Sequence, residues 1–163
     1  MKKVSQKITP PKLQLFFQVD LEAAVELPSR YYFRRWVMAA LMASGKTFKK
    51  PLQCTLRIVE AAESRSLNAT YRQKDAPTNV LSFPFPPLPA VNYHYLGDLV
   101  ICASKVIQEA SEQHKSALAH WAHLTIHGTL HLLGYDHVQT REAEAMETLE
   151  IDILRSVGFE NPY

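Results

Sequence analysis

The sequence predicts an α/β (α+β) fold: one domain, residues 1 to 163, in which a small mixed four-stranded sheet packs with about five helices. Three observations lead there. Short apolar and aromatic runs, LQLFFQV at 13 to 19 and LQCTLRIV at 52 to 59 among them, are bounded by proline or acidic residues and read as strands. They alternate with longer segments whose apolar residues recur every three or four positions, which is helical spacing. A chain of 163 residues with no repeat, linker or low-complexity segment suits a single core, and at that size folding buries roughly 70% of the unfolded chain's surface.

The first strand follows Pro11 and stops at Asp20. Pro28 and Ser29 open a helix in which Tyr32, Phe33, Trp36, Val37, Ala40 and Leu41 form one stripe, expected to be buried, with Arg34 and Arg35 between them. Residues 52 to 59 make the second strand, AAESRSLNATYR a short helix, and KDAPTN a loop. VLSFPF is a third strand, ended by the prolines of FPFPPLPA, which cannot donate a continuous ladder. A turn at 88 to 94 then leads to a fourth strand in LGDLVICAS. Ser104 is expected to cap a helix running to about Gln113, and Ser116 to cap ALAHWAHLTIHGTLHLL, with Gly134 at its left-handed stop. Thr140 is expected to cap TREAEAMETLEIDILRSV, whose early glutamates suit the positive end of the helix dipole and which Gly158 ends.

Composition excludes several classes. Apolar residues at 47% and charged residues at 21% are close to globular averages, which argues against disorder and against a membrane protein. The net charge is only +2, yet residues 1 to 50 hold ten Lys/Arg against three Asp/Glu, and residues 116 to 163 hold two against seven. Such segregation fits either a polyanion partner for the first third or a solvated lysine-rich face. Cys54 and Cys102 lie in apolar runs with no CxxC pair and read as reduced core residues. Lys2 and Lys3 resemble the start of a signal peptide, but QKITPPK has no apolar stretch and LQLFFQV is too short to span a bilayer. A cytoplasmic location without membrane contact is therefore expected.

All seven histidines fall between residues 94 and 137. In HGTLHLLGYDH, residues 127 to 137, His127 and His131 are one helical turn apart, so both imidazoles share a face with Cβ atoms roughly 5–6 Å apart. Gly134 stops the helix, and the short GYD turn brings His137 back beside them. Three neutral imidazoles with an open fourth position are a common catalytic zinc arrangement. The pattern HxxxHxxGxxH is also the ligand spacing of the metzincin zinc proteases, so a metzincin-like zinc helix and turn are expected. Those enzymes carry a glutamate general base directly after the first histidine. Here that position is Gly128, so a peptidase reading keeps the ligands and loses the base.

Four blocks extend the pattern: LNATYRQKDAPTNVLSFPF at 67 to 85, LGDLVI at 96 to 101, HWAHLTIHGTLHLLGYDH at 120 to 137, and AEAMETLEIDIL from 143. On these blocks the chain resembles the YbeY family, bacterial rRNA maturation factors regarded as metal-dependent, single-strand endoribonucleases. The resemblance implies one Zn2+ ion on His127, His131 and His137, and a functional arginine in the YRxKD block, Arg72. It implies 16S rRNA 3′-end maturation and ribosome quality control as the role. The implied partners are single-stranded RNA, ribosomal RNA, the ribosome or its small subunit, and ribosome-associated protein factors. The first 50 residues match no motif of the family.

Residue chemistry is consistent with that reading and leaves alternatives. A guanidinium is always charged and engages two phosphate oxygens at once, while the structural alternative for Arg72 is an ion pair with Asp75. Zinc would lower the pKa of a bound water toward ~7 or polarise a phosphoryl oxygen, with Arg72 neutralising charge on the phosphate; the RNA 2′-OH is the alternative nucleophile. Asp136 and Asp98 are the candidate catalytic carboxylates, as imidazole-orienting groups or, for Asp98, as proton acceptor, against a plain turn or cap role. Candidate substrate contacts are Arg72, Lys74, His120 and His123, with a buried, satisfied histidine the favoured alternative for His123. Arg34, Arg35, Lys46, Lys49 and Lys50 are further basic candidates. Tyr71, Phe83, Phe85 and Tyr135 either stack on bases or pack in the core, and core packing is favoured. The competing class is a noncatalytic assembly factor, which a fourth protein ligand such as Asp136 or His123 would support.

Overall fold

The computed structural model describes residues 9–163, so Lys2 and Lys3 lie outside the described residues. Four strands and five helices are found there: β1 (Leu13–Asp20), α1 (Arg30–Ala43), β2 (Leu52–Val59), α2 (Ala61–Arg72), β3 (Val80–Pro84), β4 (His94–Cys102), α3 (Ala103–Glu112), α4 (Ala117–Leu132) and α5 (Thr140–Ser156). The sheet has the order β1-β2-β4-β3. β1, β2 and β4 are parallel, and β3 lies antiparallel to β4 at one edge. That edge tolerates Pro84, which has no N–H to give to a neighbour.

The sheet's two faces differ as the strand residues do. Leu52, Cys54, Leu56 and Ile58 of β2 alternate toward the main core, which also holds apolar residues of α1, α4 and α5. Thr55 and Arg57 point to the other face, covered in part by α2 through Val59, Leu81, Val100, Leu67 and Phe83. Helix α4 is apolar nearly all round and is accordingly the central, enclosed helix. Trp121 on α4 meets Phe33 on α1 edge-on at 5.7 Å between ring centroids. Trp36 packs against both Phe33 and Phe159.

The stripe on α1 is buried at Phe33, Trp36, Val37, Ala40 and Leu41, but Tyr32 is 38% exposed, lying flat against Trp36 at the rim. Ser104 and Thr140 are not caps. β4 runs directly into α3, so Cys102 takes the cap position, and α5 begins at Thr140 behind Gln139. Ser116 does cap α4, accepting from the Ala119 amide at 3.1 Å. β4 starts at His94, earlier than expected, because His94 pairs with Leu52.

Both cysteines are buried and free. Burial, reinforced by Asp98, pushes the Cys54 thiol up to about 12, which keeps it protonated and inert. Part of the N-terminal positive charge is structural: Arg34 and Arg30 donate to the Leu13 and Leu15 carbonyls, tying α1 to β1. No helix among the described residues is long and apolar enough to cross a membrane.

Candidate active site

Helix α4 presents His127 and His131 one turn apart, and their Nε2 atoms are 3.0 Å from each other. After Leu133 the chain reverses at Gly134, whose φ of +93° favours glycine, and the Tyr135 amide returns to the Leu130 carbonyl. That turn brings the His137 ring to 5.0 Å from His131 and 5.8 Å from His127 between centroids. It is held from outside by Lys46, whose ammonium donates to the Leu133 carbonyl, and by the Tyr135 hydroxyl, which donates to Ser44 O.

One ligand atom from each of the three imidazoles lies within 4.8 Å of the others. Nitrogens bound at ~2.0–2.1 Å to one tetrahedral ion sit about 3.3 Å apart, close to the spacing of the first pair. Burial first, then the neighbouring His127 and His137, push His131 down to about 4, so it is neutral near pH 7 with a lone pair to give. The three residues therefore fit a metal ion. Neither Asp136 nor His123 joins them as a fourth ligand among the described residues.

Glu150 completes the support and was not among the residues expected from sequence. It is fully buried on α5, and its carboxylate binds His127 Nδ1, His123 Nε2 and the Tyr163 hydroxyl. Burial pushes its pKa up, but the bonds from His123, His127 and Tyr163 outweigh that and hold it at about 2. An ionised carboxylate only accepts, so His127 must donate from Nδ1 and keep its Nε2 lone pair facing His131. The sequence did carry a signal: Glu150 stands on the buried stripe Met146, Glu150, Ile153, Leu154, an acid where an apolar residue belongs.

The imidazoles open into a cavity of about 590 Å³, also lined by Arg72, Asn79, Ser82, Pro84, Tyr135 and Asp136. Arg72 is the last residue of α2. Two buried polar residues of that helix hold the loop that follows it: Asn68 donates to Ala76 O, and Ser64 exchanges hydrogen bonds with both backbone groups of Thr78. Asp75 belongs to Arg65, which grips it with two bonds of 2.7 and 2.9 Å. Arg72 thus has no carboxylate partner among the described residues.

The other expected site residues divide. Asp136 lines the cavity, its Oδ1 accepting from the His137 amide at 2.7 Å. Asp98 is not brought to the cavity. It lies on the sheet face opposite α4, bonded to the Tyr95 hydroxyl, because an irregularity in β4 puts residues 95 and 98 on one side. Lys74 is exposed in the loop after α2 and does not line the cavity. His120 is buried and bonded to Glu109 at 2.7 Å, and His123 turns to Glu150, so neither lines the cavity. Phe83 and Tyr135 are partly buried as expected, whereas Tyr71 and Phe85 are 61% and 45% exposed.

Gly128 has a steric reason. A Cβ there would lie 2.9 Å from Leu99 Cδ2 and 3.1 Å from Val80 Cγ2, so α4 rests directly on the sheet at this point. Its backbone carbonyl accepts from Ser82 Oγ at 2.9 Å. The position after the first histidine faces packed strands, and a glutamate base has no space there.

A family model described as endoribonuclease YbeY matches residues 21–158. Among solved structures, the chain is similar to the solution structure of TM1509 from Thermotoga maritima, with a TM-score of 0.53 and 21% sequence identity over 88% of this chain and 91% of that one. At that identity the likeness speaks for the fold.

Proposed function

The chain belongs to the YbeY family of endoribonucleases, and from that membership we propose that it cuts single-stranded ribosomal RNA in the cytoplasm, using one zinc ion on His127, His131 and His137. Its role is then 16S rRNA 3′-end maturation and ribosome quality control, in contact with the small subunit and ribosome-associated factors. The observation that carries the reading is Arg72, a guanidinium without a carboxylate partner among the described residues, lining the same cavity as the three imidazoles.

When bound, the ion supplies a Lewis acid that polarises a phosphoryl oxygen and makes water more acidic. The chain's own residues do the rest. Glu150 fixes the His127 ring and tautomer. Arg72 binds two phosphate oxygens and offsets the charge that grows on them in the transition state. Asp136 has one oxygen engaged by the His137 amide and the other, without a hydrogen bond among the described residues, placed to accept a proton from the attacking hydroxyl, whether water or the RNA 2′-OH. The product ends distinguish the two nucleophiles.

The test compares zinc-loaded wild type, His127→Ala and Arg72→Ala on single-stranded ribosomal RNA with a 3′ precursor tail, with bound metal quantified. Discrete cleavage is expected only in wild type, with zinc retained by Arg72→Ala and lost by His127→Ala. Equal cutting by all three refutes the assignment. RNA binding without cleavage by any of them favours a noncatalytic assembly factor, and cleavage of peptides alone favours a metallopeptidase, which Gly128 opposes.

A further inference from the structure

A second concavity, of about 470 Å³, opens beside the metal cavity. Lys46, Lys49 and Lys50 form one wall, and Leu88, Tyr93 and His94 the other. We propose that this concavity is a subsite for the single-stranded RNA chain running on from the metal cavity, with ammonium groups on its phosphates and Tyr93 and Leu88 against a base. The inference rests on the nuclease reading above.

Charge comes first. None of the three lysines is ion-paired among the described residues. Lys46 and Lys50 are instead aimed by backbone carbonyls, Leu133 O for the first, and for the second Val91 O at 2.7 Å with Leu88 O and Pro89 O at 3.5 Å across the hollow. A carbonyl orients an ammonium without neutralising it, so three positive charges border one hollow and call for an anionic occupant. Burial and then the Lys50 charge lower the pKa of His94, in keeping with a positive field there.

The opposite wall is apolar and open. Leu88 and Tyr93 are 45% and 38% exposed, and Phe85 stands exposed a few residues earlier on the same connection. Cations facing exposed aromatic and apolar side chains suit a strand that offers phosphates on one side and bases on the other. An acidic peptide would use the lysines and leave this wall unused.

Position links the two hollows. Ser82 and Pro84 line the metal cavity and Pro87 lines the second, and three residues of chain reach at most ~11 Å. On the other side, the carbonyl that Lys46 holds belongs to Leu133, next to Gly134 of the metal cavity. The two cavities are thus linked by a short stretch of chain on one side and by the Lys46–Leu133 bond on the other, close enough for one RNA chain to reach from the first into the second.

The experiment measures fluorescence anisotropy of 2′-O-methyl RNA, a tetranucleotide and a dodecanucleotide, checked by gel to stay intact, on the full zinc-loaded chain. The dodecanucleotide is expected to bind more tightly than the tetranucleotide. Tyr93→Ala should weaken dodecanucleotide binding about tenfold, and Lys49→Ala should reduce its salt slope by about 0.7. Tetranucleotide affinity, zinc content and melting midpoint should stay at wild-type values. Leu88→Glu, on the same wall, reads the site if Tyr93→Ala lowers the melting midpoint. Unchanged dodecanucleotide binding in the variants, while the tetranucleotide binds and unmodified RNA is cut, overturns the subsite alone. Failure of wild type to bind either RNA overturns the subsite together with the nuclease reading. Oligo-glutamate binding by wild type that is lost in Lys49→Ala, with RNA binding unaffected, overturns the subsite in favour of an acidic protein segment.

Discussion

Glu150 on α5 accepts a hydrogen bond from His127 Nδ1 on α4, and this bond decides which nitrogen of His127 is offered to a metal. Exchanging the carboxylate for an amide of equal size keeps the packing and removes the charge that fixes the tautomer. Glu150→Gln is therefore expected to weaken zinc binding by about 10–100-fold, measured by competition with a chelator, while the circular dichroism spectrum stays native. Wild-type zinc affinity in this variant would sink the orienting role.

Tyr163 reaches the same carboxylate. Its hydroxyl donates to Glu150, its ring meets His123 edge-on, and its neighbour Pro162 is tied to Lys115 through the backbone carbonyl. Tyr163→Phe removes one donor from a buried acceptor and leaves the ring. The expected loss is about 1 kcal/mol of stability, less than the ~1.5–3 kcal/mol typical of a bond to a charged group because the tyrosine is 60% exposed. Zinc affinity should fall less than in Glu150→Gln. Chemical denaturation and the same competition assay check both.

The fold was legible because its elements carry local signals. Strands of alternating or wholly apolar residues sit between prolines, and the histidine helix has its Ser116 cap and its Gly134 stop. The clustering of the three histidines was legible for the same reason: 127, 131 and 137 are joined by one helix turn and one tight turn. Glu150, Tyr163 and the partner of Asp75 were not, since each depends on packing between elements distant in sequence. The alternative ion pair of Arg72 with Asp75 is not formed, because Arg65, whose place in sequence gave no sign of it, claims Asp75 with two bonds. Asp98 looked catalytic beside a motif glycine, but an irregularity in β4 turns it to the far face with Tyr95. His120 was a candidate substrate contact from sequence, yet burial assigns it to Glu109.

Gly128→Ala tests the contact between α4 and the sheet. The added methyl meets Leu99, Val80 and Ser82 at 2.9–3.2 Å. Overpacking costs about 1–3 kcal/mol, and the better helix propensity of alanine returns up to ~1. A net loss of about 1 kcal/mol in thermal or urea unfolding is expected. Gly128→Glu should fail to fold and gain no peptidase activity, and a folded, peptide-cleaving variant would revive the protease reading.

Arg72 separates catalysis from stability. It is exposed, ends its helix and has no carboxylate partner among the described residues, so Arg72→Ala should change unfolding free energy by no more than about 0.5 kcal/mol. RNA cleavage should fall by about 10²–10³, as for loss of a donor to developing charge. Arg72→Lys keeps the charge and loses the two-pronged grip, so it should recover only part of the rate. Full activity in Arg72→Ala, with metal content equal to wild type, would remove this residue from the mechanism.

Of the three histidines proposed to hold the metal, His137 is the most open to solvent, its side chain 58% exposed against 25% for His127, so its position depends on the turn that carries it. Lys46 holds that turn by its ammonium on the Leu133 carbonyl, at the negative end of α4, where a cation is favoured. Lys46→Met keeps the apolar stem and removes the charge. Because the lost tie acts on one ligand of three, zinc affinity should fall by about 1 kcal/mol, roughly fivefold, well short of the loss in His127→Ala. Lys46→Arg supplies another cationic donor and should restore most of it. Cobalt substitution gives the independent readout: a slackened His137 should weaken the visible bands of four-coordinate cobalt in Lys46→Met and leave them intact in Lys46→Arg. Identical spectra and affinities in wild type and Lys46→Met would mean that the turn holds its shape without this tie, through Tyr135 and Gly134 alone.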